Sequence, residues 1–249
     1  MKAIVRLLLA FCWVTITFSY RIIGLILAPV APRANHYFRR SAFRLCAKGI
    51  LKITGVRLTV HGTPPDPPFF LVSNHITFID VFVLASQLGC VFVSKSELGN
   101  WPVLSFITRN MNTILINRED LRDTHRVNDQ IKEAMEQEMG IVVFVEGTVT
   151  ETGELLPFKP ALLQPAVELN MPVHYASIQY ETPYRPETAH ESILWENGEN
   201  VIKHYLKLAA IPFSNATLVF GDDPLLREDR KALAADLHEA VKKIHTPIA

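Results

Sequence analysis

A chain of 249 residues is long enough for one large domain or two small ones. Its hydrophobic share of 49% and mean hydropathy of +0.16 exceed what a freely soluble protein needs. The formal net charge is zero, yet residues 1–60 hold ten Lys/Arg and no Asp or Glu, so a basic, apolar leader precedes an acidic body; that pattern suits an anionic membrane surface better than nucleic acid.

The leader opens with "LLLAFCWVTITFSY" (7–20), then Arg21 and "IIGLILAPVAP". The first run is shorter than the roughly 20 residues a bilayer-crossing helix requires, and reaches that length only by continuing past Arg21 to Val30. Lys2 and Arg6 ahead of an apolar run also fit a secretory signal. No A-x-A site follows, however, and the dense positive charge beyond it would resist translocation. The expectation is a membrane-associating segment, either a true span or a helical pair lying in one leaflet. Gly24, Pro29 and Pro32 would permit the break a pair needs. Residues 36–53 place Phe38, Phe43, Leu45, Ile50 and Leu51 at helical spacing among basic residues. The domain division expected is therefore 1–54 for the basic apolar helices and 55–249 for an α/β domain.

Beyond the leader, short β-like runs alternate with helical stretches. "VRLTV" (56–60), "FFLVSN" (69–74), "CVFVSK" (90–95), "TILIN" (113–117), "GIVVFVEG" (140–147), "VHYASIQY" (173–180) and "ATLVFG" (216–221) read as strands. Helical periodicity covers 78–88, 120–138, 160–170 and 226–244, with acidic starts at Asp120 and at Glu228–Asp229. The polar, acidic stretch 181–200 reads as a surface loop. This alternation predicts an α/β fold whose sheet is mostly parallel and flanked by helices. Residues just past the carboxyl ends of such strands form sites, and both "SNHITFID" (73–80) and "VEGTVTETG" (145–153) fall there.

Cys12, Cys46 and Cys90 are odd in number and widely spaced, which gives no disulfide framework and no thiolate metal site; a reducing, cytoplasmic face suits them. No G-x-S-x-G, P-loop, G-x-G-x-x-G or H-E-x-x-H occurs, which argues against the usual serine hydrolases, nucleotide-binding domains and zincins. His174, His190 and His204 are scattered and read as surface or packing residues. Phe69, Phe70, Phe78 and Phe82 read as core. "SNHITFID" is the best candidate for chemistry. In a continuous helix, residues five apart lie about 140° from each other and could not pair. His75 and Asp80 can pair if His75 lies in the turn after a strand and Asp80 in the first turn of a helix beginning near Thr77. Such a pair would act as a general base on a hydroxyl. The competing reading is a strand end whose Asn74 and His75 cap the following helix, with Asp80 favouring its N-terminus.

"NHITFID" resembles the N-H-x-x-x-x-D motif of the glycerolipid acyltransferases, the 1-acylglycerol-3-phosphate acyltransferase family. Three further stretches resemble that family's other blocks in order: 94–118 with Lys95, Pro102 and Arg118, "FVEGTVTETGELLPFK" (144–159), and "MPVHYASIQY" (171–180). The resemblance implies transfer of a fatty acyl group from a thioester, on coenzyme A or acyl carrier protein, to a lysolipid hydroxyl. It implies His75 and Asp80 as the catalytic dyad, and Asn74, Lys95, Arg118, Glu146, Gly147, Thr148 and Lys159 as substrate-binding residues, Lys95 being equally readable as a surface cation. No metal and no cofactor is implied beyond the acyl-CoA or acyl carrier protein donor. The chain departs from the family where Val145 and Val149 stand for the Pro and Arg of the third block. "EGTVTETGELLPFK" and the region around Trp195 are more similar to the lyso-ornithine-lipid acyltransferase subgroup. The implied setting is a membrane, with the site on the cytoplasmic side and membrane lipids and a lysolipid acceptor as partners. Two other classes remain open here: a catalytically silent lipid-binding or transfer protein, and an acyl thioesterase.

Overall fold

The computed structural model describes residues 1–95, 113–116, 123–183, 189–195 and 199–248. The leader folds as two helices, α1 (Lys2–Leu27) and α2 (Pro32–Thr54), packed along each other and reversed by a turn at 28–31. Proline at the start of α2 fits there because the first helical N–H groups have no intrahelical partner. At 26 residues α1 is about 39 Å long. Among the described residues it is the helix long and apolar enough to cross a membrane. One side of α1 packs inward through Ala10, Thr17 and Gly24. The rest leaves Ile4, Leu8, Phe11, Ile16 and Ile26 in the open, an apolar face suited to lipid.

The sheet has seven strands: β1 (Val56–His61), β2 (Phe70–Ser73), β3 (Cys90–Lys95), β4 (Ile114–Ile116), β5 (Gly140–Phe144), β6 (Val173–Glu181) and β7 (Ser214–Phe220), in spatial order β1-β7-β6-β2-β5-β3-β4. From β6 to β4 all neighbours are parallel, and β1 pairs parallel with β7. The β6–β7 pair alone is antiparallel, so β1 and β7 begin on the edge where β2, β3, β4 and β5 end. The central strands read as continuous apolar runs because both faces are covered. Phe70 and Val72 of β2 enter one core, with Val91, Ile141 and Val143, beneath α4 (Asp123–Glu136), α5 (Gln164–Glu168) and α8 (Arg230–Ile244). Leu71 enters the other, with Ala176, Ile178 and Leu218, beneath α2, α3 (Ile79–Gln87) and α7 (Val201–Ala210). The leader thus shares the second core through Cys46, Ala47, Ile50 and Leu51.

Two expectations are corrected. The predicted helix over 160–170 is a 3-10 turn at Pro160–Leu163 followed by the short α5, with Pro165 near its start. Pro165 has no N–H to continue a ladder from the preceding turn, so a helix cannot run through it. The stretch 181–200 is more than a surface loop. Its described residues include α6 (Ala189–Ile193), and Thr182, Ile193 and Leu194 are buried. Asp229 caps α8 by accepting from the N–H groups of Lys231 and Ala232.

Candidate active site

Strand β2 ends at Ser73, and the chain turns away from the sheet while β6 continues beside it. Asn74 fills the gap in the ladder. Its amide donates to the Ile178 carbonyl at 2.9 Å and accepts from the Ile178 N–H at 2.8 Å. With both functions committed to backbone and 2% exposure, Asn74 supports the turn.

The turn places His75 Nδ1 2.8 Å from Asp80 Oδ2. Asp80 lies in the first turn of α3 and is fully buried, while the His75 side chain stays 18% exposed. Oδ2 also accepts from the N–H groups of Ile76 (2.6 Å) and Thr77 (2.9 Å), and Oδ1 accepts from the Tyr180 hydroxyl (2.7 Å). Three donors, with the imidazole as a fourth, therefore hold one carboxylate. Burial, then the charge of Asp80 beside it, push the Tyr180 phenol well above its ordinary value, so it remains a donor. Because a carboxylate only accepts, Nδ1 carries the proton and Nε2 is left with its lone pair. The imidazole lies flat on Phe144, 3.9 Å between ring centres and 11° between planes, and Phe144 in turn stacks on Phe92.

The loop after β5 grips the same histidine by its main chain. Glu146 Oε2 accepts from the His75 N–H (2.8 Å), and the Thr150 N–H donates to the His75 carbonyl (3.0 Å). Glu146 Oε1 accepts from the Leu156 N–H at 2.7 Å, tying both ends of the loop to one carboxyl. Burial pushes that carboxyl up to about 8, against the two N–H bonds that pull it down. Glu146 is 1% exposed, and both its oxygens are taken up by main-chain N–H groups.

Gly147 makes the turn with φ +73°, a conformation that suits glycine, and is buried. Thr148 is exposed on this loop and Val149 is half-buried. Thr150 is buried, its hydroxyl taken up by the N–H groups of Thr152 and Gly153. Lys159 is exposed, and its N–H ties back to the Val145 carbonyl. Lys95 ends β3 opposite Ile116, on the sheet edge where β2 and β5 also end. Arg118 lies outside the described residues.

Sequence reasoning missed three contributors: Tyr180, Phe144, and His204, which is fully buried with Nε2 2.9 Å from Thr77 Oγ1. Tyr180 and Phe144 lie within stretches already singled out, but their roles depend on which strands neighbour β2. The period-five spacing of Glu199 and His204, equal to that of His75 and Asp80, was the available signal for the third.

The His75–Asp80 pair lies just past the carboxyl end of β2, on the edge where the parallel strands β3, β4 and β5 also end. Residues 57–179 match the family model described as Acyltransferase, so the chain carries an acyltransferase domain. The chain is 26% identical over 208 residues to a 1-acyl-sn-glycerol-3-phosphate acyltransferase of Neisseria gonorrhoeae, covering 83% of this chain and 81% of that one. It is 35% identical over 112 residues to a lyso-ornithine lipid O-acyltransferase of Rhizobium meliloti, covering 44% and 38% respectively. The crystal structure of the 1-acyl-sn-glycerophosphate acyltransferase from Thermotoga maritima shares the fold, with a TM-score of 0.65 at 20% identity over 98% of both chains.

Proposed function

We propose that the protein is a membrane-bound lysolipid O-acyltransferase in which His75 is the general base and Asp80 orients it. The observation that carries this reading is the 2.8 Å Nδ1–Oδ2 contact, which directs Nε2 away from the buried carboxylate within an Acyltransferase-family domain. The acceptor hydroxyl gives its proton to Nε2 as its oxygen attacks the thioester carbonyl carbon. The tetrahedral oxyanion then collapses, the carbon–sulfur bond breaks, and the imidazolium returns the proton to the thiolate. Asp80 stabilises the imidazolium in between. The donor is acyl-CoA or an acyl-loaded carrier protein. Lys95, at the end of β3, and Thr148, on the loop after β5, serve the oxyanion and the acceptor, and Gly147 gives that loop its turn. The apolar face of α1 holds the enzyme on the cytoplasmic side of the membrane.

For the acceptor, we favour a lysolipid whose head group is not a bare phosphate. Phosphate recognition normally uses more than one cationic fork. Here the half-buried Val149 stands where the resemblance leads one to expect Arg. Arg118 and the exposed Lys159 are the family-matched cations that remain. The relative in Rhizobium meliloti named for a lyso-ornithine lipid supports an aminolipid. The test is mass spectrometry of products from a panel of lysolipids with both donor types, followed by kcat/KM for lyso-ornithine lipid against lysophosphatidic acid. The expected result is a diacyl product and a preference for the aminolipid, with Val149→Arg moving the ratio toward the phosphate. A strong preference for lysophosphatidic acid that Val149→Arg does not increase overturns the acceptor assignment. Free fatty acid as the sole product overturns acyl transfer.

A further inference from the structure

Thr77 lies between the two members of the dyad and is held from three directions. Its N–H donates to Asp80 Oδ2 at 2.9 Å, its carbonyl accepts from the Asp80 N–H at 3.0 Å, and its hydroxyl lies 2.9 Å from Nε2 of His204. His204 Nδ1 is 3.0 Å from Glu199 Oε2, and Lys207 Nζ is 2.9 Å from Glu199 Oε1. Thr77 and His204 are fully buried. We propose that Thr77, His204 and Glu199 form a relay that positions the catalytic turn, so that all three are positioning residues for acyl transfer; this rests on the reading of His75 and Asp80 given above.

The chemistry of the relay follows from its end. Burial pushes the Glu199 carboxyl up, but hydrogen bonds from Lys207 and His204 and the charge of Lys207 outweigh it and hold the group below its ordinary value. A carboxylate accepts, so His204 carries its proton on Nδ1 and offers the Nε2 lone pair to the Thr77 hydroxyl. That bond fixes the χ1 of a β-branched side chain, and with it the direction in which the Thr77 N–H meets Asp80. A plain packing role would be met by apolar side chains, because a buried imidazole costs free energy unless both nitrogens are bonded. The imidazole is also clamped. Trp195 stacks on it at 11°, Phe78 meets its edge, and the Trp195 indole donates to the Glu199 carbonyl.

The helix bearing His204 is pinned at both ends. Asn200 caps the start of α7 by accepting from the Ile202 N–H. At the other end, Arg6 of α1 donates to the carbonyls of Ala209 (3.1 Å), Ile211 (2.7 Å) and Pro212 (2.8 Å). The relay therefore refers the catalytic turn to an element fixed independently of the β2 strand end.

The experiment is steady-state kinetics of the full-length protein in vesicles with Thr77→Val and Thr77→Ser, each assayed well below its own melting temperature. The expected result is a kcat loss of about ten- to a hundredfold for Thr77→Val, the scale of a misplaced catalytic group. KM for both substrates should stay within about twofold, the split of an interaction acting on the transition state, and Thr77→Ser should recover most of the loss. Glu199→Leu and Glu199→Gln read the relay from its far end. The Leu variant should match Thr77→Val, the Gln variant should stay near wild type, and Thr77→Val with Glu199→Leu should lose no more than either alone. Wild-type kcat in Thr77→Val or Glu199→Leu, or losses that multiply in the double variant, overturn the relay. A His75→Ala arm separates the two levels: if that variant turns over normally, the base assignment fails, whereas an inactive His75→Ala beside a fully active Thr77→Val condemns the relay alone.

Discussion

Among the described residues, two imidazole–carboxylate pairs are built to nearly the same local plan. His75 and Asp80 are five residues apart across the start of α3, joined Nδ1 to oxygen at 2.8 Å. Glu199 and His204 are five apart across the start of α7, joined Nδ1 to oxygen at 3.0 Å. What separates them is the other nitrogen. The His75 side chain is 18% exposed, whereas the His204 side chain is fully buried and its Nε2 meets Thr77. Pairing with a carboxylate sets a tautomer in both cases. Access to Nε2 decides which imidazole is fit to be a base and which to be a strut.

The sharpest way to break the comparison is to remove the accessible imidazole. His75→Ala should lower kcat by about 10²–10⁴ while the protein stays folded, and Asp80→Asn should fall in the same range because it spoils the tautomer. Circular dichroism beside the kinetics checks both, and near-normal turnover by purified His75→Ala would dissolve the distinction.

A smaller effect sharpens the contrast in how the two carboxylates are held. Tyr180→Phe takes one of four donors from Asp80 and keeps the ring in place. The expected cost is about 1 kcal/mol in transition-state stabilisation, roughly fivefold in kcat. An unchanged kcat would mean that the three donors on Oδ2 suffice.

The third effect is on stability. The Glu146 carboxyl sits at about 8 in the fold against an ordinary 4.5, so it favours the folded state while protonated. That contribution is complete below about 4.5 and is lost as pH rises through about 8. Melting temperatures between about pH 5 and pH 9 should therefore decline more steeply for wild type than for Glu146→Gln. Parallel pH profiles would show that Glu146 ionises in place without penalty.

Much of this architecture was legible because a covered parallel sheet writes itself as apolar runs. Each predicted strand matches an observed one to within a few residues. The pairing of His75 with Asp80 was legible too, since only a turn followed by a helix start reconciles five-residue spacing with contact. The motif residues were harder to sort. A carboxylate in "VEGT" reads equally well as a substrate contact or as a clamp on backbone N–H groups, and only the approach of the His75 loop shows the clamp. Tyr180 reaches Asp80 because β6 lies beside β2, and His204 reaches Thr77 across 127 residues. Periodicity reports which face a residue takes; it carries no information about which distant element will lie opposite. The polar composition of 181–200 misled for a related reason, since Ile193 and Leu194 anchor it inward among charged neighbours.

The Arg6 clamp has a consequence for where the reaction occurs. Its three carbonyl partners fall at the end of α7 and just before β7, and β7 begins on the sheet edge that carries His75. A helix held there by charge-assisted bonds cannot slide along its axis without breaking all three. In the membrane-bound enzyme proposed above, the depth to which the apolar side of α1 sinks into lipid thus sets the altitude of His75 above the acyl chains. The proposed lysolipid acceptor keeps its tail in the bilayer and its free hydroxyl near the water boundary, so on that reading a fixed altitude lets the enzyme work at that level without lifting the lipid out.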